Sequence, residues 1–150
     1  MPKTYTSVHV HYVFSTKNRM PVLSKEIRER LWAYMGGIAR ENDMVAKAVG
    51  GFEDHAHLLI SLPTTVSMAK GVQLIKGGSS KWLHETFPAL HDFAWQEGYG
   101  AFGACISNIP ETIAYIANQE EHHRHKGFQE EYLAFLKKHD IAYNERYLWD

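Results

Sequence analysis

The chain has 150 residues, 45% apolar and 13% aromatic, with 16 Lys and Arg against 17 Asp and Glu, enough apolar material for one compact domain spanning its length. This composition excludes a disordered or collagen-like chain, and a formal net charge of −1 argues against indiscriminate coating of nucleic acid. Residues 1–81 hold 11 Lys and Arg against 6 Asp and Glu, whereas residues 82–150 hold 5 against 11, so a local basic patch is compatible with the neutral total.

Alternation of Thr6, Val8, Val10, Tyr12 and Phe14 with Tyr5, Ser7, His9, His11 and Val13 predicts a first strand over Thr4 to Phe14. A polar loop, Lys17 to Pro21, leads to a helix capped by Ser24, with Ile27, Leu31, Tyr34, Met35 and Ile38 at helical spacing. Met44 to Val49 reads as a second strand and His55 to Leu62 as a third, joined through Gly50 and Gly51 as an antiparallel pair. A second helix is expected from Pro63 and Thr64 to about Phe87, then a long fourth strand from Phe93 to Ile106. The order β-α-β-β-α-β matches the ferredoxin-like split motif: an α+β fold with two helices on one face of an antiparallel sheet and the other face open to a further element or a partner. A third helix, Ile109 to about His123, starts at Asn108 with Pro110 in its first turn, and a last helix covers Phe128 to Lys138.

Cys105 stands alone, so an intramolecular disulfide is impossible, and the N-terminus lacks the apolar core of a secretory signal. No apolar run approaches the roughly 20 residues of a membrane span. A cytoplasmic location is expected.

His55 and His57 flank a single apolar residue on a strand, so both imidazoles point to one face about 7 Å apart, a spacing that can grip a metal ion or simply present two surface histidines. Glu53 and Asp54 precede them and could add an oxygen ligand or orient a ring. His9-Val10-His11 repeats the pattern and shows how little it decides by itself. On the third helix Tyr115 and Gln119 share a face at i, i+4, with His122 on the same stripe and Ile109, Ile113 and Ile116 opposite. The run His122-His123-Arg124-His125 reads either as a transition-metal cluster or as cations at a helix C-terminus, and the macrodipole favours the second.

Four ordered segments then carry a resemblance. Asp54-His55-Ala56-His57-Leu58-Leu59, His11-Tyr12-Val13-Phe14-Ser15-Thr16-Lys17-Asn18-Arg19, Trp95-Gln96-Glu97-Gly98-Tyr99-Gly100-Ala101-Phe102 and Tyr115-Ile116-Ala117-Asn118-Gln119 are similar to those of the single-tyrosine HUH (His-hydrophobic-His) transposases, relatives of the REP-associated tyrosine transposases. The resemblance implies that His55, His57 and Gln119 hold a divalent cation, Mg²⁺ or Mn²⁺, and that Tyr115 is the nucleophile on a C-terminal helix. It implies cleavage and rejoining of single-stranded DNA at hairpin-marked ends through a 5′-phosphotyrosine, by a homodimer whose tyrosines can act in trans. His9 and His11 are then structural or support the metal ligands.

Candidate DNA contacts are Lys17 and Arg19, then Lys70, Lys76, Ser79, Ser80 and Lys81 on the second helix, and Arg124 and Lys126 after the nucleophile helix. A domesticated hairpin-processing nuclease, or a binding module without catalysis on the same sheet, are the alternatives.

Overall fold

A computed structural model describes residues 3–150. Strands β1 (His9–Ser15), β2 (Val45–Phe52), β3 (His55–Ser61) and β4 (Gly100–Ala104) form one sheet in the order β2-β3-β1-β4, each neighbour antiparallel. Helix α1 (Lys25–Glu41) connects β1 to β2 and α2 (Met68–Thr86) connects β3 to β4, so the ferredoxin-like connectivity is as expected. Three further helices follow, α3 (Ile109–Ala117), α4 (Gln119–His122) and α5 (Phe128–Lys138).

Period-two alternation splits β1 and β3 between two environments. Val10, Tyr12 and Phe14 of β1 and Ala56, Leu58 and Ile60 of β3 enter one core with Leu31 and Met35 of α1 and Val72, Ile75 and Leu83 of α2. Each such aliphatic or aromatic side chain contributes about 1.5–3 kcal/mol by leaving water. His9, His11, Val13, His55, His57 and Leu59 project from the opposite face.

That opposite face, expected to receive a further element or a partner, is covered by the chain's own C-terminal helices. Ile109 and Ile116 of α3 pack on Leu59, and Phe128, Tyr132 and Leu136 of α5 pack on Val13 and Phe102. Gly50 lets α3 come this close, because a Cβ there would lie 2.6 Å from the Ile116 carbonyl oxygen.

Five boundaries differ from expectation, among them β2, which continues through Gly50 and Gly51 to Phe52 so that the turn into β3 falls at Glu53 and Asp54. The first strand begins at His9, not Thr4, and α2 begins at Met68, where Ser67 accepts a hydrogen bond from the Lys70 amide, rather than at Pro63. The long fourth strand is only Gly100–Ala104; upstream of it Trp95 makes a single bridge to Thr16. The carbonyls of Gln96, Glu97 and Gly98 accept instead from the Lys76 ammonium at 2.7, 3.2 and 2.9 Å, and a side chain thus replaces a ladder. The third helix breaks at Asn118, whose backbone (φ −100°, ψ 23°) leaves the helical basin between α3 and α4. Among the described residues no helix is long and apolar enough to cross a membrane.

Candidate active site and metal centre

Both histidines of the His-x-His strand are fully buried beneath α3, α4 and α5. His55 Nδ1 lies 2.7 Å from the Asp54 carboxylate and donates to it. His57 Nδ1 is 2.8 Å from His11 Nε2, and His57 Nε2 is 2.9 Å from Glu131 Oε1. Burial lowers both His57 and His11; the Glu131 carboxylate only partly offsets it. Neutral rings fit one consistent pattern, in which His11 Nε2–H donates to His57 Nδ1 and His57 Nε2–H donates to Glu131. His11 therefore orients His57, and His9 lies beside Ser61 at the far end of the strand pair.

The break at Asn118 sets Gln119 inward, fully buried, with its Oε1 3.0 Å from His55 Nε2. Its amide orientation is fixed, because the NH₂ group donates to the Tyr115 carbonyl at 3.3 Å. Tyr115 sits half-buried on the same chain as His57, ring centroids 5.7 Å apart. The phenol donates to Glu131 Oε2 and is 3.4 Å from His122 Nε2. Burial first, then the Glu131 carboxylate, pushes the phenol well above its ordinary 10.

Glu131 is the residue the sequence reading missed. It is buried, and burial by itself would raise its pKa, but His57, His123 and His55 outweigh that and hold the carboxyl well below the usual range. Its Oε1 faces His57, His123 at 3.4 Å and His55 at 3.5 Å, while Oε2 faces His122 at 3.2 Å and Tyr115. His122 and His123 thus belong to this centre; the reading of their run as a simple helix-end cation cluster is corrected, because the short α4 turns both rings toward α5. The one legible hint was Glu131 standing one residue before Tyr132 on an otherwise amphipathic helix.

The donor chemistry fits a divalent cation. His55, His57 and Glu131 bring one ligand atom each to within 4.8 Å of one another, and Gln119 Oε1 joins them beside His55. Bonds of about 2.1 Å place neighbouring ligands about 3 Å apart, and the separations here are 2.9, 3.0 and 3.5 Å.

A cleft of about 440 Å³ opens over Tyr115 and Glu131, bordered by His122, Lys126 and Lys138. Of the basic candidates, Lys126 reaches this cleft; Arg124 is exposed and pairs with Glu121 at 3.2 Å. Lys17 is exposed and Arg19 lies over the Trp149 ring, both just past Ser15, the partner of His55 in the sheet. Lys70, Ser80 and Lys81 ride on α2, on the other side of the sheet from Tyr115. Ser79 and Lys76 are corrected to structural roles: Ser79 is fully buried and accepts from the Trp95 indole at 3.0 Å, and the Lys76 ammonium is committed to three carbonyls, its pKa lowered to about 8 by burial.

The family model described as "Transposase IS200 like" matches residues 4–119. No curated protein matches. Among the solved structures that share the fold are two described as transposases. One, from Deinococcus radiodurans R1 and described as a candidate transposase, is 24% identical with a TM-score of 0.63, covering 79% of this chain and 98% of its own. The other, a REP-associated tyrosine transposase bound to a REP hairpin, is 15% identical with a TM-score of 0.60, covering 82% of this chain and 73% of its own.

Proposed function

The chain belongs to the IS200-like transposase family, and from that premise we propose that it cleaves and rejoins single-stranded DNA at hairpin-marked ends, with Tyr115 as nucleophile. The observation that carries the reading is the Tyr115 phenol beside a buried carboxylate and the paired histidines of β3. An unperturbed phenol is a poor nucleophile at neutral pH, and burial makes this one poorer, so its proton must leave as the bond forms. Glu131 Oε2 accepts the hydroxyl hydrogen and is placed to take the proton as the bond forms, with His122 Nε2 3.4 Å from the same phenol. The phenolic oxygen attacks the phosphorus, the bond to the 3′ oxygen breaks, and that oxygen leaves as a hydroxyl carrying one proton. A 5′-phosphotyrosine remains and conserves the bond energy for rejoining to another 3′ end.

His55, His57, Gln119 and Glu131 Oε1 would hold a divalent cation, which when bound polarises the scissile phosphate and offsets its developing charge. Lys126 and Lys138 at the cleft rim, with Lys17 beyond the end of β1, supply phosphate contacts. With one nucleophile per chain, cutting two ends calls for two copies, so we propose a homodimer acting in the cytoplasm, each copy a single catalytic domain with its tyrosine in cis. A monomeric mass by light scattering at micromolar concentration would contradict the dimer.

Incubation of labelled hairpin DNA from the flanks of the gene with wild type or Tyr115→Phe, with divalent metal or EDTA, tests the reading on a denaturing gel. A slowed, protein-linked band that needs both Tyr115 and metal supports it. Hairpin binding with no adduct under any metal favours the non-catalytic binding module.

A further inference from the structure

We infer that His123 is a third imidazole ligand of this centre, and that the site is therefore built for a first-row transition-metal dication of the Co²⁺, Ni²⁺ or Zn²⁺ kind rather than for Mg²⁺. The inference rests on the proposed metal site and adds a ligand and a metal class to it.

His123 is almost wholly enclosed, its side chain 4% exposed, although it lies in a polar run that reads as surface. Its ring stacks on Phe52 of β2 at 5.8 Å and 9°, and Phe52 is covered in turn by the Arg28 guanidinium at 5.2 Å. Arg28 also binds Glu120, within α4 and three residues before His123, at 2.5 Å, so the ring is held from below and along the chain. Held this way, Nε2 points inward, 3.0 Å from Gln119 Oε1 and 3.4 Å from Glu131 Oε1.

Two imidazole nitrogens converge on the same pair of oxygens. The Gln119 oxygen is fixed toward His55 and His123, since its NH₂ group is committed to the Tyr115 carbonyl. His55 Nδ1 is turned to Asp54, so its Nε2 faces Gln119 Oε1 at 3.0 Å and Glu131 Oε1 at 3.5 Å. A cation among these atoms would draw on all of them as ligands. His123 Nε2 meets the same two oxygens from the other side, at the spacing neighbouring ligands adopt.

Three imidazole nitrogens, one carboxylate oxygen and one amide oxygen are a poor set for Mg²⁺, which favours oxygen and retains water, and a good one for later first-row ions. The Asp54–His55 pair is the carboxylate–histidine support common behind such ligands.

The test uses metal-stripped full-length chain without DNA, titrated with Co²⁺ followed by visible absorption and calorimetry, and with Mg²⁺ for comparison. Wild type is expected to bind Co²⁺ at least about a hundredfold more tightly than Mg²⁺. His123→Ala and His123→Phe, the latter keeping the ring on Phe52, are each expected to weaken Co²⁺ binding by more than about tenfold and to change its visible spectrum. His125→Ala, at an exposed histidine of the same run, is expected to change neither. If both His123 variants keep the wild-type affinity and spectrum while His57→Ala loses them, His123 is not a ligand and the two-histidine site stands. Equal or tighter Mg²⁺ binding overturns the metal class, and absence of any bound metal in wild type overturns this inference together with the proposed metal site. Since none of these readouts needs DNA, a chain that passes them yet forms no adduct would refute only the transposition chemistry. A melting curve by circular dichroism on each metal-free variant separates ligand loss from unfolding; should His123→Ala unfold, His123→Phe decides.

Discussion

The two faces of the sheet are made from the same strands and have opposite chemistries. Ala56, Leu58 and Ile60 of β3 enter a core of aliphatic and aromatic side chains, while His55 and His57, alternating with them, enter a buried polar centre. The apolar face needs only hydrophobic side chains of adequate volume and tolerates exchange among them. The polar face has to satisfy every donor and acceptor, and it does so with residues drawn from four elements: β1, β3, the α3–α4 break and α5. Among the described residues no buried side-chain nitrogen or oxygen lacks a partner. The first face supplies stability and the second carries the candidate metal site, so substitutions one residue apart should separate the two.

His57→Ala carries the largest expected effect. Metal binding and adduct formation should fall to background, because the methyl group offers no ligand atom; undiminished metal-dependent cleavage would contradict the assignment. Leu58→Ala, the next residue on the dry face, should lower stability by about 2–5 kcal/mol and leave metal affinity per folded molecule unchanged. Chemical denaturation paired with calorimetry reads both, and a loss of metal affinity without a loss of stability would erase the distinction between the faces.

Lys76→Met sharpens the comparison at the margin of the dry core. It removes a charged donor from three carbonyls and should cost about 1.5–3 kcal/mol, with hairpin affinity unaffected. A large fall in hairpin affinity at wild-type stability would return Lys76 to the DNA surface.

The smallest effect is the pH dependence of the metal-free chain. His57, His11 and His122 all have folded pKa values below their ordinary 6.5, so below that pH the unfolded chain binds protons that the folded chain resists, and stability falls as pH falls. Glu131, held below its ordinary 4.5, adds stability that is present above that value and is lost at lower pH. Melting temperature should decline from about pH 6.5 downward and more steeply below about pH 4.5. A profile flat between pH 7 and 4 would contradict the protonation pattern of the polar face.

The dry face was legible from local pattern, since alternation in β1 and β3 and the helical spacing of Leu31, Met35 and Ile38 are short-range signals. His55, His57, Tyr115 and Gln119 were legible through their spacing and their resemblance to a family, and the structure brings all four together. Glu131 was not, because it reaches the site from α5 across 74 residues of sequence from His57, beyond the 4–119 span that the family match covers. His123 was hidden by its neighbours His122, Arg124 and His125, which make the run look solvated. The fourth strand was overextended because Phe93 and Trp95 are strand-like residues; what replaces the ladder there is a lysine from α2, a contact that no local pattern encodes.

The central claim is that Tyr115 forms a covalent bond to DNA, and tandem mass spectrometry of the protein after incubation with hairpin DNA and divalent metal, followed by nuclease and protease digestion, tests it most directly. The account predicts a nucleotide mass on the peptide containing Tyr115 and no such mass when metal is withheld. A nucleotide on any of the other tyrosines, or cleaved DNA with no modified peptide at all, would contradict it.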